Sequence, residues 1–85
     1  MKILLDGVTP VQLSGVGRGR PVIQNLGPGN VYLGTEETEA DPDAGFKIVP
    51  NGGFEFSTAA GFEAGGVWIA SDAADTDVRV ISVGD

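Results

Sequence analysis

Twelve carboxylates stand against five basic side chains in this 85-residue chain, and neither histidine nor cysteine accompanies them. That inventory restricts the chemistry before any folding is considered. Without imidazole the chain lacks the side chain that most often acts as a base near neutral pH and the commonest transition-metal ligand. Without thiol it has no cysteine nucleophile and no means of stapling a small core with a disulfide. Serine–histidine and cysteine–histidine catalysis are excluded.

The densest acidic stretch is TEETEADPD, which holds Glu36, Glu37, Glu39, Asp41 and Asp43. Hard cations such as calcium take several carboxylate oxygens, but the spacing does not fit an EF-hand loop. Counted from Asp41, the fifth position is Gly45 and the twelfth is Gly52, where a bidentate glutamate belongs. A solvated acidic loop is expected here, and a second one around Asp72, Asp75 and Asp77. Paired carboxylates also run glycoside hydrolysis, which needs a substrate cleft. A chain this short buries only about 60–65% of its unfolded surface, leaving little interior to hollow out. No catalytic, cofactor-binding or metal-binding residue is assigned, and the chain reads as no enzyme.

Two glycine-rich stretches invite a phosphate-loop reading. A phosphate cradle needs consecutive backbone N–H groups leading into a helix, usually followed by Lys and Ser or Thr. LGPGN, Leu26 to Asn30, leads instead into an apolar alternation, and Pro28 removes a donor. A hairpin turn is expected there, built on the backbone freedom of Gly27 and Gly29. GVGRGR carries Arg18 and Arg20 on a glycine frame, either as a solvated loop or as a small basic spot for an acidic partner surface. The net charge of −7 repels nucleic-acid backbones and anionic membranes, so neither is an expected partner. The longest apolar runs, ILL and VWIA, fall far short of the ~20 residues of a membrane helix. MKILLDGVTP likewise lacks the apolar stretch of a signal peptide.

The elements that must position these groups are strands. Apolar residues recur with period two in VQLS, VYLG, FKIV, GFEFS and VWIAS, and the same reading covers MKILL, PVIQNL and DVRVISV. Turn chemistry separates them at DGVTP, GVGRGR, GPGN, ADPDAG and PNGG. Asn51-Gly52 suits a two-residue type I′ hairpin between FKIV and FEFS. SDAADTD, from Ser71 to Asp77, reads as a connecting loop or single turn, since so short a helix is marginal. The expected fold is all-β: a small β-sandwich or jelly-roll-like domain of about eight short antiparallel strands. It forms one domain over residues 1–85. Residues 1–20 are an N-terminal strand and loop that can serve as a contact arm, and residues 21–85 are the sandwich core.

Candidate contact residues follow from this layout. A terminal strand with a bare edge can pair with a neighbour's sheet, which singles out Met1, Ile3 and Leu5. Arg18, Arg20 and Arg79 can pair with acidic groups. Trp68 and Tyr32 lie on strand faces opposite their apolar neighbours, and two readings stay open for each. They are exposed for sugar stacking or a protein interface, or they are buried because their strands are covered on both sides.

The order VIQNLGPGNVYLG, GFKIVPNGGFEF, GGVWIASDAADTDVRVISVG resembles small tailed-bacteriophage virion proteins that decorate and stabilise capsids. The resemblance rests on Asn25 to Gly27, Val31 to Gly34, Pro50 to Phe54, Val67 to Asp72 and Val78 to Val80, and it spans Val22 to Gly84. It implies a non-enzymatic domain on the capsid exterior, present in the host cytoplasm before assembly. The implied partner is the major capsid protein, and the implied state is a homo-oligomer with a trimer favoured. It equally suits a tail or fibre-base connector. The rival from another class is a carbohydrate-binding module that uses Trp68 and Tyr32 as an aromatic platform.

Overall fold

The computed structural model describes residues 2–13, 20–56 and 67–83. Its strands are β1 (Lys2–Leu5), β2 (Val11–Leu13), β3 (Arg20–Gly27), β4 (Val31–Gly34), β5 (Phe46–Ile48), β6 (Gly53–Glu55), β7 (Val67–Ser71) and β8 (Thr76–Val83). They form two antiparallel four-stranded sheets, ordered β1-β8-β3-β6 and β2-β7-β4-β5. The first is called here the front sheet, the second the back sheet. β1 pairs with β8, β2 with β7, β3 with β6 and β4 with β5, as if one long hairpin had been wrapped around a barrel. That is the jelly-roll wrap, and it bears out the all-β sandwich expected from the alternation.

Period-two alternation supplies the core. Leu5, Ile23, Val78 and Val80 of the front sheet face Leu13, Val31, Leu33, Ile48, Val67 and Ile69 of the back sheet, all buried. Each such aliphatic side chain contributes about 1.5–3 kcal/mol relative to exposure. Phe46, Phe54 and Phe56 close the side of the sandwich between edge strands β5 and β6, with ring centroids 5.1 and 4.9 Å apart in tilted pairs.

The wrap corrects two expectations. Neither LGPGN nor VPNGGF makes a hairpin, because β3 and β6 lie in the front sheet while β4 and β5 lie in the back sheet. Both turns carry the chain across the sandwich. At the second, the Gly52 N–H donates to Val49 O at 2.8 Å and Asn51 takes φ +68° behind Pro50. Proline followed by a left-handed residue belongs to a type II turn, not type I′. At the first, Gly27 has φ +85° and the Gly27-Pro28 peptide is cis. The Ser71–Asp77 stretch joins β7 to β8 through a short turn at residues 72–75, as expected.

Four crossovers therefore meet at one end of the sandwich: residues 6–10, 28–30, 49–52 and 72–75. Asn25, wholly buried, ties two of them together. Its Nδ2 donates to Gly29 O at 2.9 Å and Ile48 O at 2.8 Å, while its Oδ1 accepts the Gly27 N–H at 2.8 Å. Its own N–H donates to Gly52 O, and its carbonyl accepts the Asn51 N–H. Thr76 Oγ1 accepts the Gly29 N–H and donates to Ala73 O. The Ser71 N–H donates to Gly7 O, joining the first crossover to the fourth. Among the described residues no buried side-chain nitrogen or oxygen lacks a partner.

Asn25→Ala strands two carbonyls and one N–H in a dry site at once. The expected loss is about 3 kcal/mol, since each unmet buried group costs about 1–3 kcal/mol. Denaturant unfolding measures it, and a loss below about 1 kcal/mol would mean that water readily replaces the amide.

Candidate functional site

The two sheets present different outer faces, and the difference begins at Gly34. A Cβ there would lie 2.5 Å from Glu39 Cβ and 2.9 Å from the Ala40 nitrogen, so the chain after β4 can lie flat on the strand only because that position is glycine. Residues 35–45 fold back over the back sheet through a 3-10 turn at Glu37–Glu39. The acidic side chains of this roof serve its own backbone. Glu39 Oε1 accepts from the Thr35 hydroxyl at 2.6 Å and from its N–H at 2.8 Å, which holds the Glu39 carboxyl below its ordinary value. Asp41 Oδ1 accepts the N–H groups of Asp43 and Ala44. Among the described residues no three acidic side chains converge on a metal-sized site.

Tyr32 and Ala70 are buried beneath this roof. Tyr32 is 6% exposed, and its hydroxyl donates to Asp72 Oδ2 at 3.1 Å. Burial and then the Asp72 carboxylate push the phenol above its ordinary pKa. Trp68 is half-buried in the neighbouring row, opposite Gln12 and Gly34. The two rings form no exposed platform, so of the two readings open for Tyr32 the structure selects burial.

The front sheet carries no such roof among the described residues. One cross-strand row on its outer face is Lys2, Arg79, Gln24 and Gly53, and the next is Ile81, Val22 and Glu55. Leu4 stands beside Asp77. Leu4 is 57% exposed and Ile81 56%. Gly53 has no side chain to fill its place, and a depression of about 370 Å³ opens there between Val22, Gln24, Arg79 and Ile81. Arg79 bridges Asp77 with both arms of its guanidinium, Nε to Oδ1 at 2.9 Å and Nη2 to Oδ2 at 3.1 Å. That bond lowers the Asp77 pKa and raises that of Arg79.

Charge divides along the same line. The front face holds Lys2, Arg79, Asp77 and Glu55, which cancel. The roof and crossovers hold Glu36, Glu37, Glu39, Asp41, Asp43, Asp6, Asp72 and Asp75 against Lys47 alone among the described residues. The acidity of the described residues is thus carried by the back and the crossover end.

The contact residues expected from sequence scatter over this frame. Arg79 lies on the front face. Leu5 is wholly buried and Ile3 packs partly against the core, so their side chains build the sandwich and do not present themselves to a neighbour. The strand exposes its other register, Lys2 and Leu4, because a step of one residue reverses the face. Met1, Arg18 and the Arg20 side chain lie outside the described residues. Leu4, Val22 and Ile81 were not singled out. Their only signal is apolar residues on both phases of MKILL, PVIQNL and DVRVISV, which marks a strand with two apolar faces and leaves open which one is bare.

Comparison with protein-family models, with curated protein sequences and with solved structures returns no match.

Asp72 fastens the crossover end from outside. It accepts the Asn30 side-chain N–H at 2.9 Å and its backbone N–H at 2.8 Å, and these bonds hold its carboxyl below the ordinary range. A depressed folded-state pKa stabilises wherever the unfolded carboxyl is ionised, above about pH 4, and the gain disappears as pH falls through the depressed value. Wild type should therefore exceed Asp72→Asn in stability at neutral pH, and the gap should close on acidification. Thermal melts across an acid series check this, and a gap independent of pH would contradict it.

Proposed function

We propose that this chain is a non-enzymatic virion structural protein that decorates and stabilises a tailed-phage capsid from outside, with the major capsid protein as its partner. The observation that carries this reading is the unlike charge of the two faces: a front face whose charges cancel and which exposes Leu4 and Ile81 beside half-buried Val22, against a roofed and acidic back. The sequence resemblance from Val22 to Gly84 supports it independently. A jelly roll whose interior is filled by aliphatic side chains offers broad sheet faces suited to contact. β1 also lies at the edge of the front sheet, where a neighbouring subunit's strand can pair with it.

Many copies on a symmetric shell need only modest individual interfaces, because simultaneous contacts raise avidity. A homotrimer at a local three-fold would use that arithmetic directly. Shell stability then rises by mass action, since the ligand binds the assembled state and not its separated parts. Purified protein added to empty shells that lack it should co-sediment with them and raise their thermal midpoint. Failure on both measures would end this reading.

A further inference from the structure

Resting on that reading, we infer that the front face is the surface set against the shell, and that it recognises a near-neutral protein surface offering an apolar side chain beside a carboxylate. Three observations fit one occupant. The depression at Gly53 is walled by Val22, Ile81 and the stem of Arg79, so it takes a side chain of leucine or phenylalanine size. Lys2 stands directly opposite Arg79 across the β1–β8 pair. Arg79 is bonded to Asp77, whereas Lys2 only shares the field of that same carboxylate and has no hydrogen-bonded partner of its own among the described residues. Two cations side by side with one carboxylate between them call for a second carboxylate, and a partner Asp or Glu supplies it.

The charge division decides the orientation. Docking through the back would press the carboxylates of residues 36–43 against the partner and require them to shed water. Docking through the front buries four charges that cancel and leaves the acidic roof in solvent. A second copy on this face is the weaker fit, because each body carries a net charge of −7 and, among the described residues, the front-face carboxylates Asp77 and Glu55 are already engaged.

The size of the face sets the strength. The described residues span 32 × 23 × 17 Å, so the broad face of the sandwich projects about 700 Å², comparable with the ~800 Å² per partner of a stable complex and no larger. A single copy should bind weakly and gain from many neighbours.

The test uses wild-type protein, Ile81→Asp, Val22→Asp, Lys2→Glu and, on the back sheet, Lys47→Glu, each with empty shells and each by sedimentation alone. Thermal melts first establish that every variant is folded. The two aspartate variants should lose at least tenfold in shell affinity, Lys2→Glu should lose several-fold, and Lys47→Glu should bind as wild type does. Unchanged binding by both aspartate variants, with wild type bound, overturns the face while leaving the decoration reading intact. The same holds if wild type alone forms oligomers that Ile81→Asp dissolves without loss of shell binding, for the face would then join copies of this chain. No shell binding by wild type removes both.

Discussion

A polar group withdrawn from water must find a partner, and in this sandwich that requirement falls chiefly on Asn25. Its amide sits where an aliphatic side chain would continue the inward phase of Ile23, at the point where β3 shifts register before Gly27. From there it holds the crossover that leaves the front sheet and the one that returns to it. Thr76 and Ser71 extend the same logic to the last and first crossovers. A chain without disulfides thus locks four turns at one end with hydrogen bonds that also leave no buried side-chain donor or acceptor orphaned among the described residues. The aliphatic layer supplies the driving force for collapse. The amide and hydroxyls decide which of several wraps that layer adopts.

How much of this was legible beforehand depends on the range of the interaction. All eight strands were readable because alternation is local: Val31 and Leu33, or Val78 and Val80, announce an inward face within four residues. Sheet membership was not. Gly27, Gly29, Asn51 and Gly52 permit a tight reversal, and the same backbone freedom permits a crossing between sheets, so local turn chemistry cannot separate the two. Asn25 did leave a trace, a polar residue on the inward phase of PVIQNL, yet of its partners only Gly29 is local, and Ile48 and Gly52 are brought to it by the wrap. The contact surface was the least readable part. MKILL is apolar in both phases, and only the finished sandwich shows that Ile3 and Leu5 face in while Leu4 faces out.

Gly34 and Gly53 act on opposite sides of the molecule by the same means. At Gly34 the missing side chain lets residues 37–40 lie against the strand, which buries Tyr32 and stacks the carboxylates of Glu36 to Asp43 on one side. At Gly53 the missing side chain stays unfilled and leaves the front face indented. One absence is covered by the chain itself and the other is open to solvent. Together with the cancelled charges of the front face, this gives a domain with two unlike outer faces although it is only two sheets thick.

The pairing of Lys2–Leu5 with residues 76–79 has a consequence for biosynthesis. β1 is synthesised before β8, the strand it pairs with, and β2 before β7, so neither sheet can close until β7 and β8 have been made. Closing such distant ends makes folding slow relative to a chain of local hairpins, and it leaves the leading strand waiting with an unoccupied edge. The dense negative charge carried between β4 and β5 is made before β7 and β8, and it adds like-charge repulsion between chains that have yet to close.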